Sequence, residues 1–212
     1  MRIKAALVAP GTHIPSQSEF NAFMRVRRGD LAKLAERLVA GTLSPDEWYD
    51  AFASMLIDGH AGAYALGRQR GGDMWPLDVD DYLRGRAIAD GETQWLLGFL
   101  DDLRNKHPRY FDAETGVYRL STIQQRSGLY AAKMRGTSSA AFVGTADVLE
   151  QFEWVLGAVE EHCSQCPVLA GMSPWDADAM PFYPGSADTP CLGNCKCHLV
   201  RLSDGLSSFK PL

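Results

Sequence analysis

Apolar residues recur at helical spacing through most of the first two thirds of the chain, in four runs separated by turn-forming residues. The first run carries Phe20, Phe23, Met24, Leu31, Leu34, Ala35, Leu38 and Val39. It is preceded by Ser16-Gln17-Ser18-Glu19, a capping box in which a serine oxygen takes an orphan N–H and the glutamate reaches back. Gly29-Asp30 predicts an interruption and Gly41 a stop. The second run starts at Ser44-Pro45-Asp46-Glu47, which combines a cap, a proline in the first turn and acids where the helix dipole favours them. Trp48, Phe52, Met55, Leu56 and Ala63 form its stripe, and Gly67, Gly71 and Gly72 predict a loop after about Leu66. A third helix is expected from Leu77 to about Lys106, with Tyr82, Leu83, Ile88, Trp95, Leu96, Phe99, Leu100 and Leu103 as its apolar positions. Gly85, Gly91 and Gly98 weaken it, so that either packing holds it together or the chain bends at Gly91, and His107-Pro108 ends it. After a turn-like connection over 109–118, Ser121-Thr122-Ile123-Gln124 offers another capping box, and Ile123, Tyr130, Ala131 and Met134 mark a fourth helix. That helix continues through Ser138 to Val143, with Gly136 as the place for a break.

At residue 150 the period changes from helical to alternating, with Phe152, Trp154 and Leu156 on one side and Glu153 and Val155 on the other. This predicts a strand, and Leu199-Val200-Arg201-Leu202 is its expected antiparallel partner. Residues 167–190, rich in proline, glycine and aspartate, read as a loop too short to own a core and dependent on a cross-link. The fold class is therefore α+β: an arm over 1–15, a mainly α-helical part over 16–148, and a small Cys-rich β-hairpin of zinc-knuckle type over 149–212.

Composition adds little to this picture. At 46% hydrophobic and 22% charged the chain is an ordinary globular one, and a net charge of -5 neither requires nor excludes a nucleic-acid partner. Two local groups are basic, Arg25-Arg27-Arg28 and Arg126, Lys133 and Arg135. Such groups are usually solvated faces; their sharper reading is nonspecific contact with DNA phosphates, without the interleaved aromatics that would stack on bases. The apolar run after Met1 stops at Pro10, too short for a signal sequence, and no stretch reaches the roughly 20 apolar residues of a membrane span.

All five cysteines lie in the last quarter, as His162-Cys163-Ser164-Gln165-Cys166-Pro167 and Cys191-Leu192-Gly193-Asn194-Cys195-Lys196-Cys197-His198. A Cys-x-x-Cys pair turns two thiolates toward one point, and a distant second group completes a tetrahedron around Zn²⁺. The odd count argues against a purely disulfide framework, although two bridges and one free thiol also satisfy it. Cys163, Cys166, Cys191, Cys195 and Cys197, with His162 and His198 beside them, exceed the four ligands of a closed structural site, and the sequence does not choose among them. With no cysteine before residue 163, a reducing cytoplasm is the natural setting.

The order Trp154, His162-Cys163-x-x-Cys166, Leu169-x-Gly171, Pro181, Pro184-Gly185 and Cys191-x-Gly193-Asn194-Cys195-Lys196-Cys197-His198-Leu199 resembles the C-terminal signature of the Mu F-like minor head proteins of tailed bacteriophages. Asn194-Cys195-Lys196-Cys197 matches the family's Asn-Cys-Arg-Cys block with lysine for arginine, while Leu192 and Cys191 depart from the residues that precede it there. More loosely, Gly59-His60, Ala63-Tyr64-Ala65-Leu66-Gly67 and Arg126-x-x-x-Tyr130 are similar to the family's helical portion. The resemblance implies a low-copy structural protein of the phage capsid, without catalysis, acting in head assembly, DNA packaging or ejection. It implies the portal protein or the major capsid protein as partner, and a place in the virion after assembly in the host cytoplasm. Only Ser203 to Leu212 follows the signature, so a short, unfused member is expected.

Two other readings use the same cysteines. A zinc hydrolase or deaminase needs a His-x-Glu element ahead of Pro-Cys-x-x-Cys, and here the proline follows the pair as Cys166-Pro167. A DNA-binding zinc module concentrates basic residues beside the metal, whereas Lys196 is the one such residue between Cys163 and Cys197. No membrane and no small-molecule substrate is expected.

Overall fold

The computed structural model describes residues 15–73, 75–159, 161–186, 190–191 and 195–206; the expected N-terminal arm, apart from Pro15, lies outside them. Four long helices come first, α1 (Gln17–Val39), α2 (Pro45–Arg70), α3 (Val79–Arg104) and α4 (Leu120–Val143), with a hairpin of β1 (Phe111–Asp112) and β2 (Val117–Tyr118) between the last two. Then follow β3 (Gln151–Val155), α5 (Cys166–Gly171), β4 (Trp175–Asp176), β5 (His198–Arg201) and α6 (Leu202–Leu206). The fold is α+β, as its pattern predicts. No helix among the described residues is long and apolar enough to cross a membrane.

By contacts the chain divides into two compact units, and the division falls inside α2 and α4. The helical unit is Ser16–Gly62 with Leu77–Ala132. The cysteine unit takes Ala63–Pro76 and the described residues from Lys133 onward.

In the helical unit the capping box expected at Ser16 and the cap expected at Ser44 form, whereas the box expected at Ser121 does not, because α4 already begins at Leu120 and Ser121 lies inside it. Ser16 Oγ accepts from the Glu19 N–H at 3.3 Å while the Ser16 N–H donates to Glu19 at 2.7 Å, and Ser44 and Glu47 repeat the arrangement at 3.3 and 2.8 Å. The Ser44 hydrogen bonds hold the Glu47 carboxyl below its usual range. The core is an aromatic cluster on α2, α3 and α4: Trp48 lies 4.7 Å from Phe52 and 4.9 Å from Phe99, and Phe52 meets Tyr130 edge-on at 5.4 Å. Each such ring contributes about 1.5–3 kcal/mol by burial.

Two expectations for these helices need correction. α1 runs unbroken through Gly29-Asp30, while α3 is one helix from Val79 to Arg104, as expected. In the first half of α3 the buried face is Asp81, Gly85, Ala89 and Glu92, while Tyr82, Leu83 and Trp95 are exposed. The reason is a close backbone approach: a Cβ on Gly85 would stand 2.5 Å from the Ala61 N and 2.8 Å from the Ile57 carbonyl oxygen. Large side chains cannot fit at such a crossing, so the small and polar face turns inward. His60 is fully buried there, 3.7 Å from Glu92. The 109–118 connection forms a hairpin, whose turn is organised by Asp112 Oδ1 accepting the N–H groups of Glu114 and Thr115 at 3.0 and 3.2 Å.

In the cysteine unit β3 is the centre of a three-stranded antiparallel sheet of order β4-β3-β5. Trp154 pairs with Leu199 and Glu153 with Val200, as the alternation predicts. The segment expected to be a loop also supplies α5 and the edge strand β4, whose Trp175 pairs with Phe152. α4 continues through Gly136 to Val143, and its end joins the sheet: Phe142 meets Phe152 edge-on at 5.3 Å, within a cluster that includes Val143, Trp154, Leu169, Met180 and Leu199. Arg201 ties this core to α2 by donating to the Gly71 carbonyl at 3.2 Å, donates to Thr145 at 3.2 Å, and pairs with Glu150 at 3.3 Å. Arg70 lies over the Phe142 ring at 4.3 Å and donates to the Leu199 carbonyl. The unit therefore has an apolar cluster, into which Cys166, Cys195 and Cys197 are packed.

Two glycines give opposite tests of this packing. A Cβ on Gly67 would come 2.7 Å from the Ala141 methyl and closer still to the Ser138 carbonyl oxygen, whereas nothing lies within 4 Å of one on Gly91. Gly67→Ala is expected to destabilise by about 1–3 kcal/mol. Gly91→Ala is expected to stabilise by about 0.5–1 kcal/mol. Urea denaturation followed by circular dichroism checks both signs.

Candidate metal centre

The cysteines reach one place by two routes. Cys163 and Cys166 come from the turn that leads into α5, with Cys166 its first residue; Cys195 and Cys197 come from the approach to β5, which pairs with β3. Cys191 lies on the second route as well. All five are free thiols. The Cys163 and Cys166 sulfurs are 3.3 Å apart, well beyond the roughly 2.05 Å of a disulfide bond. Cys166 Sγ is 3.8 Å from both Cys191 Sγ and Cys195 Sγ. The sulfurs of Cys163, Cys166 and Cys191 lie within 4.8 Å of one another, as do those of Cys166, Cys195 and Cys197.

These distances pass a test of fit. A tetrahedral ion bonded to sulfur at about 2.3 Å holds its ligands about 3.8 Å apart. The clustered cysteines could therefore hold a metal ion. Backbone geometry supports the same use: the Cys166 N–H donates to Cys163 Sγ at 3.4 Å, the turn expected of a Cys-x-x-Cys pair around a cation.

Electrostatics within the cluster are unequal. Cys197 accepts from the Cys195 thiol, and this, against the opposing effect of burial and with help from the Gly157 N–H, brings it down to about 5. The indole N–H of Trp154 assists and has no other hydrogen-bond partner. At Cys163 burial acts upward, but the hydrogen bonds from Cys166 and Cys191 outweigh it and bring the thiol down to about 7. Cys195 is pushed far up, first because its proton is held by Cys197 and then by burial. Burial, together with hydrogen bonds to Cys163 and Cys197, pushes Cys166 up. Without a cation, then, some sulfurs ionise only because others stay protonated. A bound dication removes that conflict by neutralising them together.

Neighbouring residues complete the surroundings. His162 Nδ1 lies 4.0 Å from Cys197 Sγ. His198, the partner of Val155 in the sheet, is held below its usual range by burial and then by the positive charge of Arg70. Gly157 has a steric role that the sequence reading missed: a Cβ there would stand 2.5 Å from the Lys196 carbonyl carbon. Ser173 Oγ accepts the Trp154 N–H at 2.8 Å, and the Trp175 indole donates to the Leu169 carbonyl at 2.9 Å, which fixes the end of α5 against the sheet.

The basic residues singled out for DNA have mixed surroundings. Arg25 and Arg28 are exposed on α1, but Arg27 is buried, 3.8 Å from Asp30 and with its guanidinium 5.2 Å from the Phe23 ring centre. Arg126 is engaged inside the helical unit, donating to Asp102 at 3.0 Å and to the Tyr110 hydroxyl at 2.6 Å and stacking on Phe99 at 4.4 Å. Lys133 and Arg135 are half-buried on the part of α4 that belongs to the cysteine unit, and the Arg135 stem packs against Gly185. Arg27 and Arg126 are thus both engaged by groups of the helical unit itself.

Reactivity of the metal-free protein follows from these shifts. Below about pH 6 Cys163 is expected to be mostly a thiol, and its alkylation by iodoacetamide should rise as the pH passes through about 7. It should label before Cys166 and Cys195, which are buried and held as thiols. Peptide mass mapping against pH checks the order, and added metal should suppress the labelling.

No protein-family model, no curated protein and no solved structure matches this chain.

Proposed function

We propose that this chain is a non-catalytic structural protein of a tailed-bacteriophage head, of the Mu F-like minor head type, in which zinc bound by the cysteine cluster locks the C-terminal sheet. The observation that carries the reading is the convergence of Cys163 and Cys166 with Cys191, Cys195 and Cys197 on sulfur spacings that suit a tetrahedral ion. The order of Cys163, Cys166, Cys195 and Cys197 along the chain is that of the resemblance, from which Cys191 departs. Zinc is the metal best suited to a thiolate set with histidine nearby, since it needs no redox chemistry and favours tetrahedral sulfur and nitrogen ligands.

In this role the helices present surfaces to the portal or the major capsid protein during head assembly, DNA packaging or ejection. Assembly takes place in the host cytoplasm and the mature location is the virion. Contact with packaged DNA, where it occurs, is nonspecific and falls to Arg25 and Arg28, the exposed cations of the α1 cluster.

Three measurements test the reading. Protein purified under reducing conditions should carry at least one zinc per chain by elemental analysis; a fully folded, metal-free sample contradicts the metal assignment. Cys195→Ser should raise protease sensitivity across residues 150–202 while most helical circular dichroism persists. Separately, mass-spectrometric analysis of purified particles should find the chain with proheads, portal or virions. Finding it only in the free cytosolic fraction of infected cells overturns the head assignment and leaves the zinc assignment intact.

A further inference from the structure

We propose that the cluster binds two thiophilic dications, with the Cys166 thiolate bridging them. The inference rests on the zinc reading above and extends it.

Its basis is how the sulfurs group. Cys163, Cys166 and Cys191 form one triangle with all sulfurs within 4.8 Å, and Cys166, Cys195 and Cys197 form another. The two triangles share one corner. With metal–sulfur bonds of about 2.3 Å, three sulfurs about 3.8 Å apart make one face of a coordination tetrahedron. Cys166 belongs to both faces, 3.3 Å from Cys163 and 3.8 Å from each of Cys191 and Cys195. A thiolate sulfur has lone pairs enough to bond two cations, and this one is positioned between both sets.

Charge favours the pair. Each thiol gives its proton to solvent on binding, so five ligating cysteines carry five negative charges. One dication leaves three of these uncompensated around buried sulfurs, whereas two leave one. Cys166, Cys195 and Cys197 are each at most 3% exposed, so excess charge here is costly.

The two positions differ in kind. The inner ion takes Cys166, Cys195 and Cys197, on the side where His162 lies. Its Nδ1 is 4.0 Å from Cys197 Sγ, near the roughly 3.6 Å edge that zinc–sulfur and zinc–nitrogen bond lengths imply. The outer ion takes Cys163, Cys166 and Cys191, with solvent as its fourth ligand. Cys163 and Cys191 are only half-buried, so this ion exchanges more readily.

The test is stoichiometry on the full chain in reducing buffer, with Zn²⁺ and then ¹¹³Cd²⁺ as probes. Native mass spectrometry should count two ions per chain, and cadmium NMR should give two resonances, one lost first to a competing chelator. Cys191→Ser should retain one ion, with one cadmium resonance remaining. One ion per chain in the unaltered protein overturns the bridged pair while leaving the single structural zinc in place. No bound ion overturns both readings, and retention of two ions by Cys191→Ser overturns the assignment of Cys191 to the outer position.

Discussion

Crowding of sulfur is the constraint on which the C-terminal architecture turns. Five thiols drawn from two separated segments lie close enough that the ionisation of one opposes that of the next, with Cys197 held down and Cys195 and Cys166 held up. A buried thiolate group of this density is stable only with its charge answered. The pairing of β3 with β5 brings one segment to the other, and the short α5 turns Cys166 inward. Sheet geometry and cation chemistry therefore make the same demand on the chain.

The apolar side of the unit carries weight alongside the sulfurs. Phe142, Phe152, Trp154 and Leu199 form a core into which Cys166, Cys195 and Cys197 are themselves packed. Arg70 and Arg201 lie over Phe142 at 4.3 and 5.2 Å and hydrogen-bond to backbone carbonyls, so cations close over the aromatic cluster. Apolar packing and the sulfur cluster thus share the same buried space.

Much of this was legible in the residues. Capping at Ser16 and Ser44, the long helices, the alternating strand around Trp154 and its partner after Cys197 all follow from periodicity and end signals. The first part of the α3 stripe was not, because the backbone of α2 passes so close to Gly85 that the glycine itself becomes the contact and Leu83 faces outward, whereas Leu96, Phe99, Leu100 and Leu103 are buried as expected. Glycines mislead a local reading in this way: Gly29, Gly91 and Gly136 weaken helix propensity, yet packing carries the helices past all of them. Two-residue strands such as β1, β2 and β4 are too short to show a period. For the site, the cysteine set was visible, but its grouping into two triangles about Cys166 depends on the path of the loops in space.

α2 and α4 each begin in one unit and finish in the other, so the cysteine unit is discontinuous in the chain. During synthesis on a ribosome, Ala63–Pro76 emerges long before the strands that its Arg70 and Gly71 will meet. Those contacts are of high sequence separation, and the ordering entropy is spent before they repay it. Translation must pass Arg201 before the segment from α2 finds its last partner, which makes this half of the molecule the late-folding half.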